Sequence, residues 1–191
     1  MIQKDILLGT LLGDASLQTY TKGKTYRLRF LQSDDHREYL WHLYSIFKDY
    51  CGTEPKFQVT KQNYKRWYFN TKTYDCFLEF SNIFYYENKK ILNYKEYDYK
   101  IYEYCSPRSL AYWYMDDGYK RKNSNSGLLC TDNFSYEELE FLKELLNNKF
   151  NIHVSFHKKG PNHRIYIPSK SFNNFRNLIK PYIIESMKYK L

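Results

Sequence analysis

The apolar positions of this chain follow two rhythms, helical and alternating, which succeed each other in the same order twice. Residues 2–12 form a dense apolar run of helical length, with Gly9 and Gly13 stacked four apart on one face. Residues 15–20 and 26–32 then alternate with the period of two that marks strands, turned at Lys22-Gly23-Lys24. In the second strand Leu28 and Phe30 point one way, and Arg27, Arg29 and Leu31 the other, so one sheet face is apolar and the other basic. Ser33-Asp34-Asp35 offers N-cap side chains for a helix reaching about Tyr50, with Leu40, Leu43, Tyr44 and Phe47 at helical spacing. Residues 51–55, with Gly52 and Pro55, break it. In a second hairpin, Phe57 and Val59 alternate with Lys56, Gln58 and Thr60, Gln62-Asn63 turns, and residues 65–70 return. Residues 74–85 read as a helix with Phe77, Leu78 and Phe84 as core candidates, and Asn88-Lys89-Lys90 closes the unit.

Residues 91–107 are dense in Tyr, Lys and Glu and lack a clear period; so many aromatics mark a packed, partly helical connector rather than a disordered linker. The plan then repeats. An apolar run ends at Asp116-Asp117-Gly118, and a hairpin spans 119–122 and 127–132. Ser135 and Glu138 form a capping box for a helix over 137–150. A hairpin over 152–158 and 164–168, turned at Gly160-Pro161-Asn162, precedes a last helix that ends before Lys180-Pro181. Asp14 lies 103 residues before Asp117, and Lys90 lies 100 before Lys190. A period this long is a duplicated domain, not a solenoid. The predicted fold is α+β: two αββαββα repeats, residues 1–90 and 108–191, joined by 91–107. Two antiparallel sheets set side by side under a pseudo-two-fold axis make a long concave polar saddle.

Two stretches organise this plan: Leu7-Leu8-Gly9-Thr10-Leu11-Leu12-Gly13-Asp14-Ala15 and Leu110-Ala111-Tyr112-Trp113-Tyr114-Met115-Asp116-Asp117-Gly118. A glycine inside a helix costs about 1 kcal/mol relative to Ala, and close approach of a second helix is the usual compensation. Side by side with level ends, the two helices bring Asp14 and Asp117 together. Carboxylates so placed repel unless a cation sits between them, and oxygen-only ligands select a hard cation such as Mg²⁺. An anion at a helix C-terminus is itself disfavoured by ~0.3–1 kcal/mol, which asks for the same cation.

Both stretches resemble the LAGLIDADG motif of homing endonucleases and related intron maturases. The stretch at 110–118 is similar to that of single-chain mitochondrial intron-encoded members. The resemblance extends over nearly the whole chain. It implies motif helices packed at the centre of the saddle, with Asp14 and Asp117 as metal ligands, one per half, above the two scissile phosphates. The cofactor would be Mg²⁺, with Mn²⁺ as a substitute. Backbone carbonyls of Gly13 and Asp116 would complete the shell, and the Asp116 side chain would be a bystander. Lys90 and Lys190, beside Lys89 and Lys188, match lysines that lie near the active site in related enzymes. Gln32 and Asp132, 100 residues apart at strand ends, match polar residues that hold solvent or metal; their difference makes the two strand-cleaving sites unequal.

Charge sharpens this picture. Among 191 residues, 30 Lys+Arg against 21 Asp+Glu leave a net charge of +9, which suits a polyanionic partner. The outward positions Arg27, Arg29, Lys56, Gln58, Thr60 and Lys65 of the first half, with Lys120, Lys122, His153, Ser155, His157, Arg164 and Tyr166 of the second, form a set suited to double-stranded DNA. Arg can read guanine and Gln adenine, while Lys more often holds phosphate. Each alone could equally be an ordinary solvated residue. The differing halves favour a long asymmetric site over a palindrome. The Tyr, Lys, Asn and Ile bias is that of an AT-rich genome, mitochondrial or, with the same composition, bacterial. No apolar run approaches the ~20 residues of a membrane span, and neither a secretory signal nor an Arg-rich transit peptide precedes the first motif. Four scattered Cys without a C-x-x-C pair speak against a zinc or disulfide framework, and five His show no metal-nuclease pattern. The expectation is a monomeric, Mg²⁺-dependent double-strand DNA endonuclease that promotes intron mobility. An intron-RNA-binding maturase or ribonucleoprotein component is the alternative, and a DNA-binding regulator on the same fold is opposed by the intact acids.

Overall fold

The computed structural model describes residues 3–87 and 89–191; Ile2 and Asn88 lie outside them. Helix α1 (Lys4–Leu12) is buried at every residue from Ile6 to Leu12, as a helix apolar on all sides must be. It ends at Gly13, and the chain returns as the hairpin of β1 (Ser16–Gln18) and β2 (Arg27–Ser33). Along β2, Leu28, Phe30 and Gln32 are buried while Arg27, Arg29 and Leu31 are half-exposed. Helix α2 (Arg37–Phe47) covers the apolar face with Leu40, Leu43 and Phe47. The expected cap from Ser33-Asp34-Asp35 is not made. Asp34–His36 is a 3-10 turn without side-chain capping, and Asp34 instead accepts from Trp67 Nε1 at 2.7 Å. Strands β3 (Lys56–Val59) and β4 (Lys65–Asn70) complete a sheet of order β1-β2-β4-β3. Helix α3 (Cys76–Phe84) buries Phe77 and Phe84, but Leu78, an expected core residue, is 40% exposed. Burial in α3 falls on Phe77, Phe80, Ser81, Ile83 and Phe84, and Leu78 projects from the other side. The short ladder of β5 (Tyr85–Tyr86) and β6 (Lys89–Lys90) ends the first half.

The connector holds a helix, α4 (Tyr94–Tyr104), kinked at Tyr97 and packed on α1, α3 and α6 (Tyr136–Phe150). Its Lys100 and Tyr104 join Lys4 of α1 around the Glu79 carboxylate, at 2.6, 2.8 and 2.9 Å. The second motif helix, α5 (Pro107–Asp117), starts inside residues assigned above to the connector. Ser106 caps it reciprocally with Ser109, and Pro107 fills the first turn where no amide is needed. Strands β7 (Gly118–Lys120) and β8 (Gly127–Leu129) lead to α6, whose Ser135–Glu138 capping box is formed. Strands β9 (Ser155–Lys159) and β10 (Asn162–Ile167) precede α7 (Ser169–Ile179). The order β7-β8-β10-β9 repeats that of the first sheet.

The two halves are welded along α1 and α5. A Cβ on Gly9 would stand 2.2 Å from the Ser109 carbonyl oxygen, and one on Gly13 2.4 Å from Asp116 Oδ2. Only glycine permits this approach. At the open end of the pair Arg108 grips Asp5 through Nε and Nη2 at 2.7 and 2.8 Å, so both helices run level to Asp14 and Asp117.

Candidate active site at the helix ends

The site is built where α1 and α5 stop. The Asp14 amide donates to Asp116 Oδ2 at 3.3 Å. Gln32, the last buried residue of β2, reaches in from the first sheet. Its Nε2 donates to Asp14 Oδ2 at 3.0 Å and Asp116 Oδ1 at 3.1 Å. Lys90 Nζ donates to the carbonyls of Gly13 and Ala15, both at 2.9 Å. Lys190 Nζ donates to the carbonyls of Met115 and Asp116, the latter at 3.1 Å. Gly13 and Asp116 are themselves 103 residues apart, so each lysine holds the carbonyl just before the motif acid of its own half. Lys90 and Lys190, rather than Lys89 and Lys188, occupy these places. A crevice of about 370 Å³ lies here, lined by Gly13, Asp14, Lys90, Asp117, Cys130 and Asn133 among others.

Crowding of carboxyls governs the electrostatics. Burial, with Asp14 beside it, pushes Asp117 up to about 7, against the pull of Lys90 and Lys190. Asp116 is raised well above the carboxylate range by burial and by its two neighbours. Burial lowers both lysines, and the three carboxyls oppose it. Burial and the Lys190 ammonium lower His36. Among the described residues no group of three or more His, Cys, Asp or Glu forms a ready-made metal cage. Two repelling carboxylates with two adjacent carbonyls, each keeping a lone pair free of its lysine, nonetheless fit Mg²⁺. That ion binds through one or two carboxylates and takes its other ligands from water and phosphate.

The sheets set the long polar face. Pairing puts Gln18, Arg27, Arg29, Lys56, Gln58, Arg66, Tyr68 and Asn70 on one side of the first sheet. Thr60 follows β3, its hydroxyl accepting from the Tyr64 amide at the turn. Lys65 stands opposite Val59, on the same side as Trp67 and Phe69, and so lies on the helix-side face rather than the polar one. In the second sheet Tyr119, Ser155, His157, Lys159, Arg164 and Tyr166 share the polar face. His153 precedes β9 and is exposed. Lys120 is opposite Gly127, whose hydrogen faces Phe172 of α7; it therefore lies on the helix side and reaches the Leu191 carbonyl. Lys122 is in the β7–β8 turn. Arg66, Tyr68 and Arg121, the last with its guanidinium 5.9 Å from the Tyr166 ring, are additions to the face. Fixing Trp67 and Phe69 as inward would have revealed the first two.

The equivalence of Gln32 and Asp132 is corrected by register. Ser16 and Tyr119 correspond through the 103-residue offset of the motifs, but their partners Arg29 and Leu128 are 99 apart. Gln32 therefore corresponds to Thr131, a buried residue whose hydroxyl binds β10. A one-residue slip exchanges faces, and Asp132 accordingly accepts from Arg164 Nε at 2.8 Å, while its charge still reaches Asp117.

Paired motif helices that end at Asp14 and Asp117, flanked by two sheets of the same strand order, agree with the comparisons. A model described as the LAGLIDADG DNA endonuclease family matches residues 4–175. The chain belongs to this family. It is 36% identical to DNA endonuclease I-ChuI of Chlamydomonas applanata, over 99% of this chain and 94% of that protein. It is 39% identical to cytochrome b mRNA maturase bI2 of Debaryomyces hansenii, over 98% and 72%, and 35% identical to probable intron-encoded endonuclease 1 of Wickerhamomyces canadensis, over 100% and 84%. The homing endonuclease I-WcaI bound to its DNA recognition sequence superposes with a TM-score of 0.87 at 33% identity, covering 99% and 85%. The LAGLIDADG fold of two pseudo-symmetric halves is thereby shown, and the α+β saddle with it.

Proposed function

We propose that this protein is a site-specific double-strand DNA homing endonuclease that uses Mg²⁺ and acts as a monomer. The observation that carries the reading is the doubled arrangement at the helix ends: two motif acids, each beside a carbonyl clamped by a lysine of its own half. Asp14 and Asp117 would hold the ion, with the Gly13 and Asp116 carbonyls beside them. Bound Mg²⁺ would supply Lewis acidity toward phosphate and a water acidified for attack. Lys90 and Lys190 place positive charge where a scissile phosphate gains negative charge. Gln32 keeps Asp14 and Asp116 in fixed orientation. Arg27, Arg29 and Arg66 lie on a strand ribbon of the kind that the major groove admits. One chain supplies both motifs, which supports a monomer and an asymmetric target. The names of the intron-encoded relatives and of the cytochrome b mRNA maturase support a mitochondrial intron origin. The maturase name also sustains intron RNA as a second ligand, although both acids and both lysines are present here.

The test is to incubate the protein with pooled duplex targets, including the flanks of the gene's own insertion point, with Mg²⁺ or EDTA, and to sequence the ends. Paired cuts with short 3′ overhangs, lost in EDTA and in Asp14→Asn/Asp117→Asn, are expected. Intact DNA together with tight binding of the intron RNA would replace the nuclease reading by the maturase one.

A further inference from the structure

We propose that His36 and Tyr189 are positioning residues that lock the Gln32 amide toward the carboxylates of the nuclease site. The inference rests on the nuclease reading above and adds a layer behind it. Gln32 Nε2 is committed to Asp14 and Asp116, so its carbonyl oxygen must face away. The group it faces is His36, with Nδ1 at 3.4 Å from Gln32 Oε1. Nδ1 therefore carries the proton, and the opposite ring nitrogen, Nε2, accepts the Tyr189 hydroxyl at 2.9 Å. Every donor in the chain points toward the acids: Tyr189 to His36, His36 to Gln32, Gln32 to Asp14 and Asp116.

The two anchors come from different halves. His36 ends the 3-10 turn held by the Trp67–Asp34 bond. Tyr189 lies in the last turn of the chain, Glu185–Lys190, next to the Lys190 that clamps the Asp116 carbonyl. Without the lock, a flipped Gln32 amide would turn its carbonyl oxygen on the Asp14 carboxylate. Thr131, the counterpart of Gln32, spends its hydroxyl on β10. Of the two motif acids the lock thus holds Asp14 and not Asp117, which makes the two cleavages unequal.

The ring's two nitrogens can be tested separately. His36→Asn keeps a donor near the Nδ1 position, whereas His36→Gln places its amide toward Tyr189 and His36→Leu has neither. With a supercoiled plasmid carrying the target, His36→Leu and His36→Gln are expected to accumulate nicked circles. The second cut should slow roughly 10- to 100-fold, the usual cost of removing a supporting partner. His36→Asn should restore most of the rate, and Tyr189→Phe should cost several-fold. In a Gln32→Ala background His36→Leu should add nothing, because it acts only through Gln32. A readout without activity is the Gln32 side-chain amide in a ¹H–¹⁵N spectrum, assigned by its loss in Gln32→Ala. It should move in His36→Leu and stay in place in His36→Asn. An unmoved amide signal, or an equal slowing of both cuts that persists in Gln32→Ala, would overturn the proposal. If the wild type cut no target, the nuclease reading would fail while the amide signal still decided the lock.

Discussion

The two sheets are copies in backbone and opposites in how they hold their arginines. In the first, each is held by a neutral amide: Arg27 by Gln18 at 3.0 Å, Arg29 by Asn70 at 3.4 Å and Arg66 by Gln58 at 3.1 Å. An amide orients a guanidinium and leaves its charge for a phosphate. In the second, Arg164 is held by the Asp132 carboxylate at 2.8 Å, which cancels that charge. The same division appears at the centre, where Gln32 enters the site and Thr131 turns away from it. Duplication has kept the skeleton, with its motif helices, lysine clamps and strand order, while the polar layer around it has diverged. The first sheet thus leaves the charge of all three arginines uncancelled, whereas the second cancels that of Arg164 and leaves only Arg121, beside the Tyr166 ring, without a carboxylate.

The motif helices give the sharpest test of this asymmetry, because α1 contributes the glycines and α5 the bulk. Gly9→Ala drives a methyl into the Ser109 carbonyl, and backbone cannot swing aside as a side chain can. A loss of about 3 kcal/mol is expected, at the upper end for overpacking, with cleavage falling as the acids lose register. The reciprocal change in the facing helix, Ala111→Gly, should cost only about 1 kcal/mol of helix propensity. Urea denaturation of both variants measures the difference; equal losses would show the interface to be symmetric in tolerance.

Acid crowding should appear as a pH effect on the metal-free protein. Between the ordinary carboxylate value and about 7, the unfolded chain has released a proton that folded Asp117 retains. The unfolded state then binds fewer protons, so stability falls as pH rises through that window. Asp117→Asn removes the penalty. It should be more stable than wild type above pH 7, on the order of 1–3 kcal/mol, less than the full shift because water reaches the carboxyl. The advantage should vanish near pH 4 and shrink when Mg²⁺ is added. Thermal melts at several pH values check this, and parallel curves would contradict it.

Much of this arrangement was legible in the chain. Alternation in β2 separated Leu28 and Phe30 from Arg27 and Arg29, and the glycine pair in α1 announced a close helix partner. What escaped was local register. Charge alone suggested that Lys65 and Lys120 face outward, yet their partners Val59 and Gly127 put them on the helix side. Constant spacing matched Gln32 with Asp132, but the two repeats differ in length between motif and strand, so the offset shrinks from 103 to 99. Long-range contacts such as His36 with Tyr189, 153 residues apart, leave no trace in periodicity at all.

The smallest expected effect follows from the arginine comparison itself. Asp132→Asn should convert the second sheet to the chemistry of the first by leaving Arg164 oriented but charged. If that guanidinium then meets a phosphate, the slope of log affinity against log salt should steepen by about 0.9 for the one added contact. The converse change, Gln58→Glu, should neutralise Arg66 and make the slope shallower by a similar amount. Gln58→Glu is a surface substitution, expected to change folding stability by no more than about 0.5 kcal/mol, whereas Asp132→Asn weakens a half-buried ion pair and should cost about 1 kcal/mol. Binding titrations at several salt concentrations with catalysis blocked by EDTA separate these variants from wild type. Unchanged slopes in both would mean that DNA does not approach the face at Arg66 and Arg164, and that the cations there serve only to hold the strands together.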